Sequence, residues 1–225
     1  PSSLFSSSWN PTSCSNSRGA RSCRTLRASV DRLDSNVESG ISPDSFTVDF
    51  VTTKGTFTMM ARRRWAPHGV DRFHDLVTSG FYDDTRFYRV IPGFVAQFGL
   101  PAEPAVAAAW KGHTIPDDGV RASNVRGAVS FARAGRNTRG TQLFVNLRDN
   151  SRLDTLGGFG FAPIGTIERG IEVVDSLYSG YGESMPRGRG PIQDSISVYG
   201  NSWLDREFPR LDRIISAKIT QAWRY

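Results

Sequence analysis

The stretch Ser45-Phe-Thr-Val-Asp-Phe-Val-Thr-Thr-Lys-Gly-Thr-Phe-Thr-Met-Met-Ala61 decides the class of fold. Phe46, Val48 and Phe50 alternate with Thr47, Asp49 and Val51, the two-residue period of a strand. Lys54-Gly55 makes a turn, and Thr56 to Ala61 reads as the returning strand of a hairpin. A helix follows. Pro67 suits its first turn, Val70, Phe73, Leu76 and Val77 share one face, and Gly80 ends it. Further short strands are expected at Arg86–Ile91, Phe94–Phe98, Ala128–Ala132 and Gln142–Leu147, separated by Gly-rich turns or longer loops. Ile171 to Tyr178 reads as a second helix through Ile171, Val174 and Leu177, and Ser195–Tyr199 as a last strand. Ser202 to Ile219 carries an N-cap candidate and a helical stripe of Leu204, Phe208, Leu211 and Ile215, which Pro209 should kink or break. Many short strands with two helices predict a mainly β protein, a barrel or sandwich with helical caps rather than βαβ units.

The 225 residues suit one domain with a tail, and 38% hydrophobic content is enough for a real core. No run approaches the ~18 apolar residues of a spanning helix, so no membrane span is expected. The first thirty residues differ in character: Ser fills ten positions and Arg four, with no acid before Asp31. Residues 1–44 are therefore expected to form a disordered Ser/Arg-rich tail. Being basic, Ser-rich and free of acid at its start, this tail is similar to an organelle transit peptide. A plastid or mitochondrion is the favoured compartment, with cytoplasm or the secretory route as the alternative. The chain opens on Pro1 and is expected to lack its natural start.

Cys14 and Cys23 both lie in the tail, so neither a disulfide scaffold nor thiol chemistry is expected of the body. The net charge is +6, yet the basic residues are scattered and balanced by 22 acids. Arg62, Arg63 and Arg64 form the one tight basic cluster, and no nucleic-acid-binding motif accompanies it, so nucleic acid is not expected as a partner. Gly135-Arg-Asn-Thr-Arg-Gly140 has the glycine spacing of a phosphate loop, but Thr141 stands where the loop needs Lys. His68, His74 and His113 lack metal-ligand spacing, and no G-x-S-x-G elbow is present. Glu183 and the pair Asp117-Asp118 lie in turn-rich text and read as solvated.

Three segments carry the chemistry: Phe87-Tyr-Arg-Val-Ile-Pro-Gly-Phe-Val-Ala-Gln-Phe-Gly99, Ser130 through Phe144, and Arg152-Leu-Asp154 through Gly165. In this order they resemble the cyclophilin family of peptidyl-prolyl cis–trans isomerases, over roughly Phe46 to Tyr199. The Tyr178-Ser-Gly-Tyr-Gly182 turn and the Pro186-Arg-Gly-Arg-Gly-Pro191 loop resemble a divergent branch of it. The resemblance implies a closed eight-stranded antiparallel β-barrel capped by two α-helices, here with a C-terminal helix. The barrel domain would span residues 45–200, and a C-terminal helical extension residues 201–225. It implies rotation about X–Pro bonds in proline-containing polypeptides, assisting protein folding, with no cofactor and no metal. A monomer is expected. The rival reading is a catalytically weak proline-peptide binding module or scaffold.

By the same resemblance Arg89 matches the catalytic arginine, and Phe94 and Phe144 match the floor and wall of the proline pocket. Gln97 matches the group that orients the arginine. Ala132, Arg133 and Gln142 match positions along the peptide groove, and Val95, Leu153 and Phe161 complete the substrate-binding set. Several positions depart from the common pattern. Arg152 replaces a Trp that commonly contacts cyclosporin, so weak or no cyclosporin binding is expected. Phe161 replaces a His, Val95 a Met and Tyr88 a His, while Arg133 and Arg136 replace Asn and Pro. With Arg139, these arginines are expected to make the rim basic and to favour acidic flanks on the substrate.

Overall fold

The structure is a computed structural model and describes residues 41–225. Most of the expected tail, with its transit-peptide character and both cysteines, lies outside the described residues. Strands β1 (Ser45–Thr52) and β2 (Gly55–Arg62) form the expected hairpin, in register from Thr52↔Gly55 to Ser45↔Arg62. Thr52 closes its turn, its Oγ1 donating to the Gly55 carbonyl and accepting from the Lys54 N–H. The alternation works as read: Phe46, Val48 and Phe50 are fully buried, as are Phe57, Met59 and Ala61 across the ladder. Helix α1 (Pro67–Thr78) lays Val70, Phe73, Leu76 and Val77 on this face, with the Phe73 ring stacked 5.8 Å from Phe46. Burying such rings supplies both apolar area and preferred ring geometry.

The remaining strands are β3 (Arg89–Ile91), β4 (Val95–Phe98), β5 (Ala128–Phe131), β6 (Leu143–Asn146), β7 (Pro163–Arg169) and β8 (Ile214–Trp223). They make one eight-stranded sheet in the order β3-β4-β6-β5-β7-β2-β1-β8, with antiparallel ladders throughout. The molecule is thus mainly β with eight antiparallel strands, but the sheet is an open half-barrel and not the expected closed barrel. Between the end strands β3 and β8 there is an isolated bridge, Arg86↔Arg213, and no ladder. The reason lies at the seam. Asp84 has φ +61, which bends the chain out of strand geometry, and the buried Arg86 guanidinium is engaged by Asp84 and Asp205.

The C-terminal region also differs. Ser195–Tyr199 is not a strand but part of helix α4 (Gln193–Glu207), and the stripe expected to continue to Ile219 stops before Pro209. Residues 201–225 are therefore not a helical extension: after the end of α4 the chain supplies β8, which pairs with β1 from Ser45↔Trp223 to Thr52↔Ile214. Proline blocks the helix. The segment Ile214–Trp223 then covers an edge of β1 that would otherwise present unpaired backbone groups, with Ile215 and Thr220 bulged out of the ladder. Two short elements carried no signal in the reading, β7 and helix α2 (Pro104–Trp110), and helix α3 (Ile171–Asp175) is shorter than expected. Helix α4 kinks at Gly200 (φ 64), where a Cβ would lie 2.6 Å from the Ala102 carbonyl oxygen, so glycine is what lets α4 lie on the approach to α2. No helix among the described residues is long and apolar enough to cross a membrane.

Candidate active site

Strand register assembles the site. Arg89 pairs with Gln97, and Gln97 with Phe144, across β3, β4 and β6. In the adjoining row Val90 pairs with Ala96, Ala96 with Val145, and Val145 with Val129. That second row belongs to the main core. Alternation therefore turns Arg89, Gln97 and Phe144 to the opposite face of the half-barrel, with Val95 and Gln142 two residues away on the same side.

On this face a small apolar cluster stands apart from the main core. Val95, Phe144 and Leu153 are its buried members, with Phe94, Ala132 and Phe161 packed against them. All six were singled out in the sequence, from three separated segments. The rings of Phe144 and Phe161 meet edge to face at 5.6 Å. The guanidinium carbon of Arg89 lies 5.7 Å from the centre of the Phe94 ring, so cation and apolar pocket share one wall.

A polar chain runs beside the cluster. Arg89 Nη1 donates to Gln97 Oε1 at 3.1 Å, and Gln97 Nε2 donates to Gln142 Oε1, also at 3.1 Å. Tyr88 donates its hydroxyl to the same Gln142 oxygen at 2.6 Å. Burial pushes the Tyr88 hydroxyl up, so it stays a neutral donor. From Gln97, Ala132 and Gln142 a groove of about 850 Å³ opens toward α2 and α4, where Pro104, Trp110 and Val198 line it.

Glu183 was read as solvated, and the structure corrects that reading. Its carboxylate grips the edge of Arg89, accepting from Nε at 2.6 Å and from Nη2 at 2.8 Å. The hydrogen bonds from Arg89 hold the Glu183 carboxyl below its ordinary value, against the opposing effect of partial burial. Asp118 is likewise not solvated: it is buried and accepts from the backbone N–H groups of His68 and Gly69 at the start of α1. Asp117 accepts from the Asn137 N–H.

The arginines divide unevenly. Arg139, expected on the rim, is only 3% exposed, with Nη1 3.0 Å from Asp118 and Nε 3.4 Å from Asp117. Arg133 stacks on Phe159 and Phe161, its guanidinium carbon 3.7 and 4.4 Å from the ring centres, and donates to the Gly160 carbonyl at 2.6 Å. Arg136 also lies over Phe159, its guanidinium carbon 4.7 Å from the ring centre. Arg152 is exposed, 5.4 Å from the centre of Phe94.

The sequence reading also missed a buried asparagine trio behind the pocket. Asn146 donates to Asn124, and Asn150 to Asn146. Asn150 also donates to the Phe94 carbonyl and Asn124 to the Phe161 carbonyl, which ties the two ring-bearing loops together. Each asparagine sits in ordinary turn or strand text, and nothing local marks it. Among the described residues no group of three or more His, Cys, Asp or Glu gathers in a way that could hold a metal ion.

A sequence model of the family described as cyclophilin type peptidyl-prolyl cis-trans isomerase/CLD matches residues 47–199. Peptidyl-prolyl cis-trans isomerase A of Dickeya dadantii is 35% identical over 147 residues, covering 64% of this chain and 74% of that protein. A peptidyl-prolyl cis-trans isomerase of Synechococcus elongatus is 38% identical over 103 residues, covering 46% of this chain and 70% of that one. In fold, the chain is similar to a crystal structure of a cyclophilin type peptidyl-prolyl cis-trans isomerase from Cryptosporidium parvum. That match has a TM-score of 0.58 at 21% identity and covers 79% of this chain and 98% of the other. The chain belongs to the cyclophilin-type peptidyl-prolyl cis–trans isomerase family, and its class of activity is isomerisation of X–Pro bonds.

Proposed function

We propose that this isomerisation takes place over the Phe94–Phe144 pocket, with Arg89 as the catalytic group and polypeptide X–Pro bonds as the substrate. The barrier to be lowered is the ~18–20 kcal/mol of amide conjugation. In the twisted transition state conjugation is lost, and the proline nitrogen becomes a pyramidal amine that accepts a hydrogen bond. A fixed donor aimed at that nitrogen stabilises the transition state more than the planar ground state, and this is what raises the rate. No nucleophile is required.

Arg89 suits the task. A guanidinium has five N–H bonds; three are engaged by Glu183 and Gln97. One on Nη1 and one on Nη2 remain for the substrate. Phe94, Val95, Phe144, Leu153 and Phe161 form an apolar seat that holds the pyrrolidine ring while the rest of the peptide turns. Gln97 holds Nη1 of the guanidinium, and Ala132, Arg133 and Gln142 border the groove that takes the flanking peptide. With Arg139 buried, the basic rim consists of Arg133, Arg136 and Arg152, which favours acidic flanks. Such an enzyme acts on folding chains and on proline switches in folded ones.

The observation that carries this reading is the placement of one guanidinium, with donors to spare, against the ring of an apolar cluster on the outer face of the sheet. Its test is the specificity constant of Arg89→Ala on a proline tetrapeptide. Loss of one transition-state donor should cost about 3 kcal/mol, roughly a hundredfold in kcat/KM. A loss below about threefold in a folded variant would remove Arg89 from the catalytic role.

A further inference from the structure

The reaction as described uses no carboxylate, yet Glu183 is built into contact with Arg89. It lies on the segment between α3 and α4 that contains the Tyr-Gly-Glu turn and the Arg-Gly-Arg-Gly loop. That segment is closely constructed. The Ser184 N–H donates to Glu183 Oε1 at 3.0 Å, and the Gly190 N–H donates to the Glu183 carbonyl at 2.8 Å. At Gly188 a Cβ would lie 2.1 Å from that same carbonyl oxygen, so the loop returns across the Glu183 backbone at a distance only glycine allows. Tyr181 anchors the segment, its ring 5.1 Å from Tyr178 and 5.2 Å from Phe208 beyond α4.

We propose that Glu183 is a positioning residue for the isomerisation: its carboxylate, delivered by this loop, clamps Arg89 side-on so that the free N–H bonds are directed to the proline nitrogen. The inference rests on the assignment of Arg89 as the catalytic group. Gln97 alone holds Nη1 and leaves the guanidinium free to swing about that contact. Glu183 adds two bonds on the Nε edge, and together the partners fix the plane of the group. The acceptor in the transition state is a neutral amine nitrogen, to which the direction of the N–H matters more than the net charge behind it. A carboxylate on the far edge therefore aids the step although it partly offsets the cation.

The test is a double-mutant cycle of Glu183→Gln and Arg89→Ala, reading kcat and KM separately on an Ala-Pro-Phe-type peptide, with the Arg89 Nε–H resonance as a structural readout. Glu183→Gln should lower kcat about tenfold and leave KM within about twofold, the pattern of an interaction felt only in the transition state. In the Arg89→Ala background the same change should cost less than about twofold, because the group it positions is gone. In the wild type the Arg89 Nε–H should exchange slowly and shift with Glu183→Gln. An unchanged or raised kcat in Glu183→Gln would overturn the proposal, as would an undiminished loss in the Arg89→Ala background or an unmoved Nε–H resonance. If Arg89→Ala itself costs nothing, the assignment of the catalytic group fails first and the clamp falls with it.

Discussion

Arg152 stands where its guanidinium carbon is 5.4 Å from the Phe94 ring, so the pocket has a charged and solvated rim on that side in place of a flat apolar one. A large apolar macrocycle such as cyclosporin would have to desolvate that charge without pairing it. Arg152→Trp should therefore tighten cyclosporin binding by about tenfold or more, roughly 1.4 kcal/mol, as measured by titration calorimetry. No gain would show that Arg152 does not limit cyclosporin binding. At this scale the sequence is most informative about apolar groups. Phe94, Val95, Phe144 and Leu153 could be named because each lies in a short segment of distinctive order. Glu183 could not, because its partner is 94 residues away along the chain and its approach is set by loop contacts at Gly188 and Gly190. Arg139 and Asp118 illustrate the same limit, since burial of a charge pair leaves no local pattern.

Among the elements, β8 is where sequence reading and structure part company. The stripe Leu204, Phe208, Leu211, Ile215 has helical spacing, but Pro209 divides it, and the chain beyond it pairs as a strand with β1, with Ile215 bulged out of the ladder between the Thr52↔Ile214 and Val51↔Ser216 pairs. Ala217 is 4% exposed and faces the core, while Ile215 is 48% exposed. A strand therefore predicts that Ala217→Asp destabilises by about 3 kcal/mol or more, from an unpaired buried charge. Ile215→Asp should stay within about 0.5 kcal/mol. Urea denaturation distinguishes them, and the reverse order of costs would restore the helix. The hairpin of β1 and β2 was legible because one face of each strand is wholly buried. β7 was not, because its pattern fades from buried Pro163, Ile164 and Gly165 to exposed Glu168 and Arg169 within one short run.

Across the whole molecule, several carboxylates are tuned in one direction. Glu183 is lowered chiefly by its hydrogen bonds from Arg89. For Asp71, Asp84 and Asp154 burial is the largest single effect and pushes upward, but their basic and hydroxyl or amide partners together outweigh it. A group with a depressed folded-state pKa contributes stability that is present above its unfolded value. That stability is lost as pH falls through the folded value. Asp83, raised mainly by burial, works in the opposite sense. With four groups against one, the urea midpoint should be level through the weakly acidic range and fall below about pH 4, where unfolded carboxylates titrate. An equal midpoint at pH 3 and pH 7 would contradict this.

The same scale holds the central claim, that an open half-barrel with a fixed guanidinium on its outer face turns X–Pro bonds over. Exchange NMR on an Ala-Pro-Phe-type peptide with catalytic amounts of the full chain tests it most directly. Exchange peaks between cis and trans resonances should appear with the wild type and largely vanish with Arg89→Ala. Shifts of the peptide resonances on binding, without acceleration of exchange by the wild type, would contradict the account and leave a groove that holds proline without turning it.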